Sequence, residues 1–204
     1  MKVSQFGRSM VEMIGVLAII GVLSVGAIAG YSKAMLKYKL NKQSAQYNQL
    51  LATVYKYDGQ WGIIENFDNM IPMLKSLNEI PKEMINNTES RIYDIFHNEL
   101  TIYYSTLYSA PVIWIHLDLK ETGNSMEICR NAFITVKEWH ENMFVMESFG
   151  TSSEGNQNLQ SFGDSHCIDN RKCLVDLSLK DIDNLCHAQL GRDFTIRIFT
   201  ADHR

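Results

Sequence analysis

The chain has 204 residues and a formal net charge of -4. That weakly acidic balance argues against a surface built for a polyanion, so no nucleic-acid partner is expected. Charged residues make up 21% and aromatics 10%, the composition of a folded protein and not of a disordered one.

The first element is apolar. No charge occurs between Glu12 and Lys33, so residues 13–32 form an uncharged run. As a helix that run spans about 30 Å, the thickness of a bilayer core. Four glycines, Gly15, Gly21, Gly26 and Gly30, lie within it, and Gly26-x-x-x-Gly30 is a spacing that lets membrane helices approach closely. Pro72, Pro81 and Pro111 all lie beyond residue 70, which leaves the first sixty residues free to be helical. Past Ser32, Leu36, Leu40, Tyr47, Leu50, Leu51 and Val54 recur at three- and four-residue steps. The helix is therefore expected to continue, amphipathic, to about Tyr57, where Asp58-Gly59 supplies a stop. Lys33, Lys37, Lys39 and Lys42 read as a solvated face of it.

The remainder, 58–204, has the size of one domain. Residues 60–90 read as an irregular connector with a short helix near Asn69 to Leu77. "RIYDIFH", "LTIYYSTL" and "PVIWIHLDL" alternate as strands do, with turn residues His97-Asn98 and Ser109-Ala110 between them, and predict an antiparallel meander. Gly123 to Trp139 returns to helical spacing through Met126, Cys129, Phe133 and Val136. Gly150 to Ser165 reads as a polar loop. "SLKDIDNLCH" predicts a short helix opened by Ser178 with Asp181 three residues on, close to a capping box. "DFTIRIFT" closes the chain as a strand.

Cys129, Cys167, Cys173 and Cys186 are even in number and follow an export-like segment, which points to two disulfides in an oxidising compartment. The spacing C-x37-C-x5-C-x12-C contains no zinc knuckle. Spacing alone does not fix connectivity. A tight Cys167–Cys173 loop leaves Cys129 with Cys186, and that pairing is the expected one.

Four groupings bear on catalysis or metal binding. Trp139-His140-Glu141 sets an imidazole beside an acid, but sequence neighbours on a helix do not face one another, so these read as surface residues. His166-Cys167 and Cys186-His187 resemble nucleophile–base pairs only by adjacency, and structural disulfides account for both cysteines. Asp164, Asp169 and Asp176 lack the spacing of a calcium loop. No nucleophile elbow, zinc-protease or phosphate-loop motif occurs, and neither enzyme activity nor a cofactor is expected; no metal ligand is assigned, and calcium binding stays open. Tyr93, Tyr103, Tyr104 and Tyr108 offer an adhesive aromatic surface, though strand tyrosines more often pack a sheet face.

One feature of the N-terminus is left over: Glu12, an acid at the mouth of a greasy helix. "FGRSMVEMIGVLAIIGVL" resembles the class III signal of type IV prepilins and type II secretion pseudopilins. That family carries a short basic leader ending in Gly, is cleaved after it, and has Glu as the fifth mature residue of an apolar helix that is retained. The resemblance makes 1–7 the leader, Gly7 and Arg8 the cleavage site, 8–57 a long helix with a transmembrane segment at 13–32, and 58–204 the head. It departs from the family in having Arg8, not Phe or Met, as the first mature residue, which leaves methylation of that amine open. The firm match covers about residues 4 to 33; element order and a cysteine on a second helix add a fainter likeness to type IVb pilins.

What the resemblance implies is an α+β, pilin-like fold. Its long N-terminal helix has a transmembrane half and an amphipathic half, and packs on an antiparallel sheet with a disulfide-bounded C-terminal region. The implied role is a major or minor filament subunit, and the implied partners are itself, related pilins, a prepilin peptidase and an inner-membrane assembly platform. The precursor would sit in the bacterial inner membrane with its head in the periplasm, then pass into a periplasmic or cell-surface filament. A count of flanking lysines favours the opposite orientation; the cysteines' need for an oxidising side and the resemblance outweigh it. Cleavage would free a cationic amine on Arg8 for Glu12 of another subunit, and a subunit out of register would strand both charges in an apolar phase. A plain Arg8–Glu12 pair within one helix is the lesser alternative, worth only about a few tenths of a kcal/mol.

The rival reading is an ordinary signal peptide. Lys2 and Arg8 form its basic region and "AIA" at Ala27 to Ala29 its cleavage site, releasing a soluble disulfide-bonded binding domain or enzyme.

Overall fold

The computed structural model describes residues 10–57, 68–88, 90–107, 110–120, 122–152, 155–168, 170–189 and 194–200. The chain divides into two compact units, Met1–Lys39 and Leu40–Arg204, and helix α1 (Met10–Lys56) is continuous across the division. Nothing in its sequence interrupts it: no proline occurs, and acidic Glu12 stands in the first turn while basic Lys56 stands in the last, both favoured by the helix dipole.

The first unit is this helix alone among the described residues, and its apolar side chains face outward on all sides. In the second unit the helix behaves as the three- and four-residue spacing requires. Tyr47, Leu50, Leu51 and Val54 are buried in the main core, with Leu40 packed against it.

The second unit is α+β. After the short α2 (Ile71–Ser76), which carries Pro72 at its start where a missing N–H costs nothing, come β1 (Ile92–Tyr93), β2 (Glu99–Leu107) and β3 (Ala110–Leu119). Then follow α3 (Ser125–Lys137), β4 (Met143–Ser152), β5 (Gly155–Phe162), α4 (Leu179–Gln189) and β6 (Phe194–Thr200). Among the described residues the six strands form one antiparallel sheet of order β1-β2-β3-β6-β4-β5. The meander β1-β2-β3 is as expected, and the last strand inserts between β3 and β4.

Alternation along β3 sorts the two faces. Ile113, Ile115, Leu117 and Leu119 join the main core, while Val112 and Trp114 join a smaller cluster with Phe144, Val145 and Phe162 on the opposite face. A register shift between Met143 and Val145 in β4 lets Met143 and Met146, three residues apart, share the main core.

Two expectations differ from the structure. The polar stretch 150–165 is largely strand: β4 and β5 pair from Val145↔Phe162 to Ser152↔Gly155. β5 is an edge strand of the sheet, where backbone pairing on one side suffices and polar residues are tolerated. "RIYDIFH" contributes only the two residues of β1, because Asp94 turns the chain, accepting from the Phe96 and Asn98 N–H groups at 2.8 and 2.9 Å with His97 at φ 62.

Cys129 of α3 is bonded to Cys186 of α4, both fully buried, with Cα atoms 5.9 Å apart. Cys167 is bonded to Cys173 across a sequence separation of 6. The second loop is also stitched to the sheet edge, since Phe162 N donates to Lys172 O and Leu174 N donates to Phe162 O. At α4, Asp181 N donates to Ser178 Oγ and Ser178 N donates to an Asp181 carboxylate oxygen, the reciprocal capping that the sequence predicts.

Candidate functional site

Helix α1 is the feature of this chain that the fold of a lone molecule does not explain. Met10, Val11, Leu17, Val22, Leu23, Val25 and Ile28 are each 65% or more exposed. A soluble monomer rarely carries a contiguous apolar surface of more than a few hundred Å2, roughly, unless something covers it. The segment is long and apolar enough to cross a membrane, with no part of its most apolar window buried. Together with two disulfides this points to export or a membrane anchor.

Glu12 is exposed in the first turn of that helix. Gly7 and Arg8, the proposed cleavage site and cationic partner, lie outside the described residues. A Cβ added at Gly15, Gly21, Gly26 or Gly30 meets nothing within 4 Å, so the monomer does not require glycine at any of them. Glycine there costs a water-exposed helix about 1 kcal/mol per residue against alanine, a cost that close helix–helix approach in a membrane or bundle would offset.

The second half of α1 is fastened to the head by buried polar groups as well as by apolar packing. Tyr47 and Gln43 project from one side of the helix, and the Tyr47 hydroxyl donates to Asp94 Oδ2 at 2.8 Å while Gln43 Nε2 donates to the same oxygen at 3.0 Å. Asn98 Nδ2 adds a third donor at 2.9 Å. With the two backbone donors on Oδ1, the carboxylate of a residue only 3% exposed receives five hydrogen bonds. Burial, and then the charge of Asp94, push the Tyr47 hydroxyl well above its usual range, so it stays a donor. Gln46 Oε1 accepts from Ile95 N at 3.0 Å in the same turn.

α3 holds the other side. Asn131 Nδ2 donates to Leu40 O and Gln43 Oε1, both at 2.9 Å, and Trp139 Nε1 donates to Asn48 Oδ1 at 2.7 Å. Ion pairs at the surface add Lys42 to Glu83, and Lys56 to Glu79 at 2.7 Å. Sequence reading missed this network. Its only local signal is that the polar Gln43 and Gln46 fall beside Tyr47 on the side of the helix that carries the apolar stripe; Asp94 lies 47 residues from Tyr47.

Among the described residues, the catalytic candidates read from sequence do not converge on one site, although His140 meets Asp164. Cys167 and Cys186 are disulfide-bonded and offer no thiolate. His166 sits 2.8 Å from Ser165 Oγ and stacks near Phe144, and burial, followed by the charge of Arg171, lowers its pKa. His187 is exposed on α4, its Nδ1 3.0 Å from Asp183 O. His140, read from sequence as a surface residue, is half-buried, with Nδ1 2.8 Å from Asp164 Oδ1. Tyr103 and Tyr104 are half-buried, Tyr104 against the main core. Asp169 and Tyr108 lie outside the described residues.

A long apolar N-terminal helix followed by an antiparallel sheet and C-terminal disulfides is a pilin-like architecture. Comparison with protein-family models, with curated proteins and with solved structures finds no match to this chain.

Proposed function

We propose that this chain is a structural subunit, a pilin or pseudopilin, of a type IV pilus or type II secretion-like filament. It is inserted in the inner membrane, cleaved after Gly7 by a prepilin peptidase, and polymerised through α1 by an assembly platform, with its head on the periplasmic side. Its partners are further copies of itself and related pilins. Its work is mechanical, and no catalytic role is assigned to it.

The observation that carries this reading is the continuity of α1. One unbroken helix holds both the exposed apolar run and the residues that build the head's core, and it passes through Ala29 without interruption. A segment discarded at Ala29 would not need to be an extension of a core helix. In the assembled filament, Glu12 of one subunit would meet the Arg8 amine of a neighbour. Removing one partner of a charge pair in a low-dielectric setting costs about 3 kcal/mol or more, whereas a correctly paired subunit avoids that cost, so the pair selects register.

The test is Glu12→Ala in the producing cell, with head folding monitored through formation of both disulfides. Incorporation into sheared filaments should fall about a hundredfold, the factor that ~3 kcal/mol corresponds to. Unchanged incorporation would refute the register role of Glu12.

A further inference from the structure

At the root of the β4–β5 hairpin two single-turn 3-10 helices, His140–Asn142 and Asp164–His166, lie in contact. Their backbones are held together closely. A Cβ at Gly163 would fall 1.8 Å from Met143 O and 2.7 Å from His140 O, and Gly163 N donates to Phe144 O at 3.1 Å. This approach sets His140 Nδ1 2.8 Å from Asp164 Oδ1 and brings the Glu141 carboxylate alongside, with one ligand atom from each of the three residues within 4.8 Å of the others.

We propose that His140, Glu141 and Asp164 form a binding site for one divalent cation of the zinc class. The proposal stands on this cluster and does not depend on the filament reading. A hydrogen bond between His140 and Asp164 accounts for two of the three groups but not for Glu141. Two carboxylates at such a separation repel by about 1 kcal/mol even in water, and more near a protein surface. A cation turns that repulsion into attraction.

The donor set selects the ion. Calcium and magnesium take shells of oxygen, whereas an imidazole beside carboxylates suits zinc and its neighbours. Zinc bonds of about 2.0–2.2 Å place adjacent ligands of a tetrahedral shell ~3.3–3.6 Å apart. The His140–Asp164 spacing is already near that value, and exposed Glu141 has side-chain freedom to close the rest. The remaining position falls to water. Glu141 and Asp164 are exposed, which leaves the site open to solvent, and His140 also lines an open cleft of about 420 Å3 with Lys137, Glu138 and Val175. A bound ion would cross-link the two ends of the hairpin.

The test uses the full chain in detergent micelles, titrated with ZnCl2 by isothermal calorimetry, with CaCl2 in parallel. One Zn2+ should bind per chain. Glu141→Gln, which changes an exposed side chain and leaves folding intact, His140→Gln and Asp164→Asn should each weaken it about tenfold or more. His116→Gln, on β3, should leave it unchanged. Absence of Zn2+ uptake, uptake equally strong in Glu141→Gln and His140→Gln, or uptake of Ca2+ in place of Zn2+ would each overturn the proposal.

Discussion

The Tyr47 hydroxyl donates to the Asp94 carboxylate at 2.8 Å, and through that bond the long helix is locked to the β1–β2 turn inside the core. A carboxylate buried without a cation among its hydrogen-bond donors is stabilised only by how many donors reach it, so each one matters. Tyr47→Phe should destabilise the head by about 1–3 kcal/mol, and Asp94→Ala, which strands the Gln43, Tyr47 and Asn98 donors together, should cost more. Urea unfolding in micelles followed by tryptophan fluorescence measures both. A Tyr47→Phe cost within about 0.5 kcal/mol of zero, the range of ordinary surface changes, would show the bond to be unimportant.

The two disulfides should contribute unequally. Chain-entropy reasoning gives about 4 kcal/mol for the Cys129–Cys186 bridge, with its separation of 57, and about 2 kcal/mol for Cys167–Cys173, with its separation of 6. The double replacement Cys129→Ala with Cys186→Ala is therefore expected to lower the unfolding midpoint further than Cys167→Ser with Cys173→Ser. The reverse order would mean that the small loop anchors more of the sheet edge than its length suggests.

Asp181 carries a pH signature. Hydrogen bonds from Ser178, reinforced by Lys172, lower its pKa to about 2, against roughly 3.9 for a free Asp. Because the folded value lies below the unfolded one, the contribution is fully present above about pH 4 and is lost as the pH falls to about 2. It is small, since the group is solvent-screened. The stability difference between wild type and Asp181→Asn should accordingly be constant at neutral pH and shrink across that window; a difference that persists at pH 2 would remove Asp181 titration as its cause.

Gly163 and Gly26 make an informative contrast. At Gly163 a methyl group would collide with backbone, and Gly163→Ala should destabilise the head by about 1–3 kcal/mol or more. At Gly26 nothing stands within 4 Å, so Gly26→Leu should leave head unfolding unchanged while reducing filament incorporation. Equal incorporation of Gly26→Leu would mean that no neighbouring helix approaches there.

Legibility of the sequence followed the range of the forces involved. α1, the meander and the Ser178–Asp181 cap were readable because each is written in residues a few positions apart. The β4–β5 hairpin was not, because "GTSSEGNQNLQS" has a loop composition and is held by its place at the sheet edge. The Asp94 network joins residues 47 and more positions apart, and the His140–Asp164 contact depends on the tight packing allowed at Gly163. Local pattern carries no record of either. Glu12 was conspicuous from sequence alone, since no other acid occurs before Asp58.

The most direct measurement is the N-terminal sequence and intact mass of the mature protein recovered from its native cells. A subunit that keeps its greasy stem must begin Arg8-Ser9-Met10, and the account predicts that start. Recovery of a protein beginning Gly30-Tyr31-Ser32, its apolar stem gone, would contradict it.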